Sequence, residues 1–339
     1  MRKLKHEPLI AVTMGDPAGI GAEVALKALA HQLTKSHAYY CLLGDYSHLV
    51  HCAKRFKVRL PMARVPSVSD TRQWKGKVGV LDLGRVSKFH WGKVSAVGGA
   101  AAVRYVTFGA NLALSGAADA LVTAPINKEA IHLAGCPFPG HTELLASLSK
   151  CKSFAMMMVG GPFKIVLQSI HVPLRKAPDA VTFKSAWEKL RLTREVLLRW
   201  FGLSNPRIGV AGLNPHAGEA GAFGKEEIKV LKPLVRRARN KGWKVTGPHP
   251  PDTLFYQAAQ GKYDALHCMY HDQGLIPLKL LAFDSGVNLT LGLPFVRTSP
   301  DHGTAFDIAG KGKANPRSMI AAIQLAEAIC RKRHAERLK

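Results

Sequence analysis

Acidic residues are scarce in this chain. There are 23 Asp and Glu against 48 Lys and Arg, which gives a formal charge of +25. A surplus of that size raises a nucleic-acid partner. The cations are spread out, however, and runs occur only at the termini, as Arg2-Lys3 and Arg331-Lys332-Arg333. Aromatic residues make up only 7%. No RNP-like run, zinc finger or basic zipper is present, so nucleic acid is not expected as the main partner. The surplus fits a basic proteome background together with attraction of anionic substrates.

Paired cysteines are missing too. Cys41, Cys52, Cys136, Cys151, Cys268 and Cys330 form no C-x-x-C pair. That pattern argues against a disulfide framework and a cysteine zinc site, and fits a reducing compartment. Long apolar runs are absent. The N-terminal basic stretch leads into a short apolar run that ends at Gly15-Asp16-Pro17, too brief for a signal peptide. The stretch 286–296 is interrupted by Asn288 and two glycines, which excludes a membrane span. A soluble, cytoplasmic protein is expected. Neither G-x-G-x-x-G nor the Walker pattern occurs, so no Rossmann or P-loop fingerprint is available.

What is present is alternation. Length of 339 residues suggests about two domains. Short apolar or β-branched runs at 9–13, 39–43, 78–83, 120–123, 155–159, 164–169, 208–212, 265–270 and 287–291 predict strands. Longer amphipathic stretches at 21–33, 95–115, 179–201, 225–241 and 317–333 predict helices. Strands alternating with helices imply right-handed crossovers and a mainly parallel sheet, an α/β class. Pro125, the glycines of 135–140 and the 294–302 stretch suggest boundaries. The expected division is 1–125 plus 295–339 as a first α/β domain and 126–294 as a second.

Three histidines stand out by position. His171, His216 and His271 each lie just beyond the C-terminal end of a predicted strand. Ligands of open parallel sheets bind outside those ends. Three imidazoles meeting there could hold a divalent metal and leave a position open for substrate. Asp272 adjoins His271, and Asp252 follows Pro250-Pro251. Either carboxylate could bind metal or orient a ligand, and Asp252 could equally cap a helix. Arg297 can grip phosphate or carboxylate with its planar fork. Lys279, in an apolar run, is either a snorkelling surface residue or an anion ligand. The loop from Met14 to Glu23, with Gly15 and Asp16, joins a strand to a helix and permits close approach of a ligand to backbone.

These residues also carry a resemblance. Gly140-His141-Thr142-Glu143, Gly212-Leu213-Asn214-Pro215-His216-Ala217-Gly218-Glu219, Met269-Tyr270-His271-Asp272-Gln273-Gly274 and the stretch 288–304 resemble the signature segments of the 4-hydroxythreonine-4-phosphate dehydrogenase family. The similarity runs in order from Ile10 to the last helical stretch. That family is related to the isocitrate and isopropylmalate dehydrogenases, whose first Gly-rich loop resembles 15–23 and whose adenine-side loop resembles 302–316, including Gly303 and Asp307. The resemblance implies two α/β domains with the active site in the cleft between them, the first domain on the cofactor side and the second carrying metal, substrate and dimer interface. It implies NAD or NADP as cofactor and one divalent metal (Zn, Mg, Mn or Co) on His171, His216 and His271. It implies substrate contacts from His141, Thr142, Lys279, Asn288 and Arg297, and a homodimer with a shared active site. The implied reaction is oxidation of 4-hydroxythreonine 4-phosphate followed by decarboxylation, in vitamin B6 synthesis. Sister enzymes that oxidise threonate or erythronate 4-phosphate keep the same motifs.

Overall fold

The computed structural model describes residues 7–337; residues 1–6, with the Arg2-Lys3 run, and 338–339 lie outside the described residues. The chain folds as two compact units, one up to Lys152 and again from Leu293 onward, the other Ser153–Gly292.

The first unit opens with β1 (Leu9–Thr13), whose five residues are all buried. A strand covered on both faces reads as a continuous apolar run rather than an alternation. The helix α1 (Gly21–Leu33) leads to β2 (Tyr39–Gly44), α2 (Tyr46–Arg55), the short β3 (Ala63–Arg64) and β4 (Val78–Asp82). The helix α3 (Ala96–Leu114) then returns the chain to β5 (Ala120–Thr123) beside β1. Side chains cap α2 and α3, with Asp and Ser at the cap positions. Asp45 accepts from the His48 backbone N–H at 3.0 Å, and Ser95 accepts from Gly98 at 3.1 Å. Two short helices follow, α4 (Lys128–Leu133) and α5 (His141–Leu148). A Cβ at Gly99 would lie 1.9 Å from the Ala130 carbonyl oxygen, so only glycine lets α3 and α4 pack this closely.

The second unit contains β6 (Ala155–Gly160), β7 (Phe163–Leu167), α6 (Phe183–Arg199), β8 (Ile208–Ala211), α7 (Lys232–Asn240), β9 (Val245–His249), α8 (Pro251–Ala259), β10 (Ala265–Cys268), α9 (His271–Ala282) and β11 (Val287–Leu291). Its strand order is β11-β6-β7-β10-β8-β9. β6 pairs antiparallel with both β11 and β7. β7, β10, β8 and β9 are mutually parallel, so their C-terminal ends share one edge. On the helical layer, Trp187 and Trp243 stack with centroids 5.0 Å apart, and Arg237 and Arg194 lie over Trp187 and Trp243 respectively.

The chain then re-enters the first unit as β12 (Val296–Pro300), parallel to β5, and ends in α10 (Arg317–Arg337). The order there is β3-β4-β2-β1-β5-β12, every pair parallel. β1 is flanked by the strands that leave and return, so the crevice at its C-terminal end is a topological switch point. Thr298 on β12 donates its hydroxyl to the Ala322 carbonyl of α10 at 2.8 Å. The α/β class with mainly parallel sheet is therefore established. Among the described residues no helix is long and apolar enough to cross a membrane.

Candidate active site

In the second unit, three adjacent parallel strands each release a histidine at the same edge. β7 leads to His171, β10 to His271 and β8 to His216. The rings of His171 and His271 have centroids 5.9 Å apart. They line a cavity of about 300 Å³ together with Ser169, Leu174, Tyr270 and Asp272. His271 Nδ1 lies 2.7 Å from an Asp272 carboxylate oxygen. His216 Nδ1 lies 3.3 Å from Glu219. A carboxylate on Nδ1 favours the Nδ1–H tautomer and leaves the Nε2 lone pair for a ligand. The donor chemistry thus fits a dication. Within one chain the fit stops at a pair: among the described residues no group of three or more His, Cys, Asp or Glu is gathered closely enough to hold a metal.

The His216 segment has an unusual backbone. His216, Ala217, Gly218, Glu219 and Ala220 all have positive φ, between 38° and 80°. Four of them carry a Cβ, and a left-handed conformation costs roughly 1–2 kcal/mol for each such residue. A buried carboxylate braces the two residues just before Pro215 and this run. One Glu227 oxygen accepts from the backbone N–H groups of Leu213 and Asn214 at 2.8 Å each, and the other from the Asn214 amide at 3.0 Å. Hydrogen bonds to a charged acceptor contribute about 1.5–3 kcal/mol apiece. Glu227 begins a π-helical turn, Glu227–Leu231, a local irregularity that recurs at functional sites.

Asp252 is exposed at the start of α8, where it accepts from its neighbour Thr253 at 2.8 Å; Pro250 occupies the cap position. Lys279 lies on α9 with its ammonium 5.8 Å from the Phe283 ring centroid. Asn288 lies on β11, and its side-chain oxygen is buried with no hydrogen-bond partner.

In the first unit, Arg297 is only 2% exposed on β12. Its Nε and one Nη donate to the Thr123 hydroxyl at 3.2 and 2.7 Å, which fixes the guanidinium plane. Burial lowers its pKa to about 10, against the raising effect of Glu143, so it stays charged near neutrality. His141 begins α5. Burial, reinforced by the Arg297 charge, holds its pKa well below the ordinary value, and its Nε2 is buried without a partner. Thr142 follows it, half-buried. A neutral imidazole beside a buried cation is suited to share an anionic ligand.

The switch-point crevice carries the remaining candidates. Gly15 has φ +75°, and a Cβ there would lie 2.4 Å from the Pro125 carbonyl oxygen. Asp16 is 1% exposed; one oxygen accepts from Ala18 and the other has no partner, and burial raises its pKa. The loop after β12 meets the loop after β1: Ile20 donates to the Thr304 carbonyl at 3.0 Å. Buried Glu23 pairs with Lys27 at 2.6 Å, and the two grip Gly312 and Ala314 through backbone bonds. Gly303 and Asp307 are both exposed on this second loop. The structure thus joins the Gly-rich loop to the 302–316 loop within one unit. His302 adds another buried ring nitrogen without a partner. Buried polar atoms are normally satisfied; among the described residues Asp16, His141, Asn288 and His302 share this lack of a partner with core atoms such as those of Thr71, Tyr105 and His267.

The chain matches the family described as "Pyridoxal phosphate biosynthetic protein PdxA" over residues 36–326. It belongs to that family. A 4-hydroxythreonine-4-phosphate dehydrogenase of Desulforapulum autotrophicum is 43% identical over 323 residues, 95% of each chain. A D-threonate 4-phosphate dehydrogenase of Salmonella typhimurium is 46% identical over 320 residues, 94% of this chain and 97% of the relative. The crystal structure of the Klebsiella pneumoniae 4-hydroxythreonine-4-phosphate dehydrogenase superposes with a TM-score of 0.87 at 43% identity, covering 96% of this chain and 98% of that one. PdxA-family relatives are dehydrogenases, so this chain is an oxidoreductase of that class.

Sequence reasoning did not find Glu227 or Gln273. The latter is buried on α9, accepts from the Met269 N–H at 2.6 Å and donates to the Gly212 carbonyl at 2.7 Å. Neither falls in a pattern of ligand spacing. A Glu at the start of a helical stretch reads as a favourable helix-dipole residue.

Proposed function

We propose that this PdxA-family enzyme oxidises 4-hydroxy-L-threonine 4-phosphate at C3 with NAD or NADP, in pyridoxal phosphate biosynthesis. The product, 2-amino-3-oxo-4-phosphooxybutanoate, is a β-keto acid that loses CO2 to give 3-amino-2-oxopropyl phosphate. The observation that carries the reading is the shared edge of β7, β10 and β8, from which His171, His271 and His216 emerge with carboxylates on two of the rings.

Those three histidines would hold one divalent metal, whose Lewis acidity would favour ionisation of the C3 hydroxyl, and the nicotinamide would accept the hydride. Nitrogen donors suit Zn2+ or Co2+, and oxygen from substrate and Asp also suits Mg2+ or Mn2+. Arg297 binds phosphate as a fixed planar donor, with His141 and Thr142 beside it and Lys279 and Asn288 as further polar contacts. His141 stays neutral through the working pH range, so it donates one hydrogen bond without adding a second buried charge. Asp252, Asp272 or Lys279 takes the hydroxyl proton and returns one to C2 after CO2 leaves. Gly15, Asp16, Gly303 and Asp307 hold the cofactor, on the two loops joined through Ile20 and Thr304.

A homodimer with a shared site is part of the reading. α9, which starts at His271, exposes Ile276, Leu280 and Leu281 at 66%, 82% and 57%, with Phe283 at 74% just beyond. A contiguous apolar face of this kind marks an interaction surface. A second copy against it would bring further donors to a site where, among the described residues of one chain, His171 and His271 come together but no group of three does. The second substrate reading is threonate 4-phosphate, favoured by the 46% identity to the Salmonella relative.

The test is NADH and NADPH formation from 4-hydroxythreonine 4-phosphate and from threonate 4-phosphate, with and without chelator. A kcat/KM at least tenfold higher on the sugar acid would move the assignment to the second reading. Turnover unaffected by exhaustive chelation would remove the metal.

A further inference from the structure

We infer that Glu227 is a positioning residue for His216, holding the segment 213–220 in the one backbone conformation that presents that imidazole as a ligand. The inference rests on the proposed metal role of His216 and extends it to a residue that touches neither metal nor substrate.

The geometry is that of a hub. Glu227 is 1% exposed, yet its carboxylate carries three hydrogen bonds, all from the two residues that precede Pro215-His216. No Lys, Arg or His forms an ion pair with it among the described residues. A buried carboxylate is expensive unless satisfied, and here one loop supplies the satisfaction. The loop closes around it on the other side as well. A Cβ at Gly218 would lie 2.6 Å from one Glu227 oxygen, and a Cβ at Gly212 would lie 3.3 Å from the other and 2.8 Å from the Ala217 Cα. Glycines at these two places let the chain wrap the carboxylate. Adjacent Glu226 takes the second Asn214 amide hydrogen at 2.8 Å.

The run of left-handed residues from His216 to Ala220 begins two residues after the last of these bonds. Five consecutive residues with positive φ do not persist on intrinsic preference; the surroundings must over-determine them. Glu227 fixes the entry to that run. Gln273 ties the same loop to the His271 segment, since it bridges the Gly212 carbonyl and the Met269 N–H. Ser169 ties the His171 segment to the same place, through its hydroxyl on the Met269 carbonyl at 2.9 Å. The three histidine-bearing turns therefore share one polar brace, and Glu227 is its connection to His216.

Glu227→Gln keeps the shape but offers an amide N–H₂ where an acceptor is needed. Glu227→Asp keeps the charge with a reach one methylene shorter. The experiment titrates metal-free enzyme with Co2+ and follows visible d–d absorption, which reports the ligand set directly, at a temperature well below the melting transition. Wild type and His216→Ala run beside the two variants, with thermal melts of each metal-free protein. Outer residues that orient metal ligands typically change affinity by about 10–100-fold. Glu227→Gln should weaken Co2+ binding by that factor and alter the band shape, and Glu227→Asp should recover part of both. A lower melting temperature with unchanged Co2+ affinity and spectrum would mean Glu227 serves the fold alone, and would overturn the inference. If Glu227→Gln does not fold, Glu227→Asp decides: Co2+ affinity within twofold of wild type refutes the inference. His216→Ala binding Co2+ as tightly as wild type would sink the underlying metal reading, a failure distinct from the others.

Discussion

Replacing Arg297 by Lys keeps a cation on β12 and removes the planar fork. In the native chain, Thr123 holds two of the guanidinium nitrogens and so fixes the plane of the fork. One ammonium cannot keep the Thr123 bond and reproduce a two-point grip on phosphate. The loss is about one charge-assisted hydrogen bond, roughly 1.5–3 kcal/mol, or about ten- to a hundredfold in kcat/KM. Burial adds a second effect. It lowers Arg297 from 12.5 to about 10. A Lys starts near 10.4, and the same burial would push it lower, toward the alkaline assay range. The substituted side chain then loses charge across the alkaline assay range, whereas Arg297 does not. The defect of Arg297→Lys should therefore deepen from pH 7 to pH 9. The assay is kcat/KM for the phosphorylated substrate at several pH values, beside the dephosphorylated substrate, whose rate should change far less. Activity within twofold of wild type at every pH would refute the phosphate assignment.

Three further outcomes are expected. His216→Ala should lose metal and turnover while keeping its circular dichroism spectrum; full activity would remove His216 from the site. Burial holds His267 at about 3 and His48 at about 4, so the native state refuses protons that the unfolded chain accepts below about 6.5. Stability should be complete above that pH and fall by about 1.4 kcal/mol per pH unit for each such histidine down to about pH 4; urea melts of His267→Gln should show a slope shallower by one proton, and an unchanged slope would contradict this. Leu280→Glu with Phe283→Glu on the exposed end of α9 should give a monomer by sedimentation and abolish turnover; a fully active monomer would end the shared-site proposal.

Much of the framework was legible because period and burial agree. β1, β5 and β11 lie on the runs at 9–13, 120–123 and 287–291, and α1 spans 21–33. Other elements were hidden by conflicting local signals. α9 contains Pro277 and an apolar stretch without a clean helical stripe, so 271–282 does not declare itself as helix. Pro277 is tolerated because tertiary packing overrides propensity. β12 reads as a polar, proline-bounded loop, VRTSP, yet all five residues are buried. The Arg297 guanidinium and the Thr298 hydroxyl find partners in Thr123 and α10, which are far away in sequence.

The sequence by itself determined which chemistry was available: three histidines placed after strands, an arginine able to fork a phosphate, and an acidic neighbour for His271. Residue type and spacing along one strand-turn unit are local properties, and local rules decide them. The tertiary structure decided the rest. Strand order made β7, β10 and β8 neighbours and so put the histidines on one edge. Burial set Arg297 and His141 to their charge states, because a pKa responds to the desolvation that packing imposes. The left-handed turn at His216 depends on Glu227, whose carboxylate closes around residues 13 and 14 positions earlier in the chain. No propensity scale carries that information, because the strain and the carboxylate that braces its entry lie in different segments and meet only when the chain has folded.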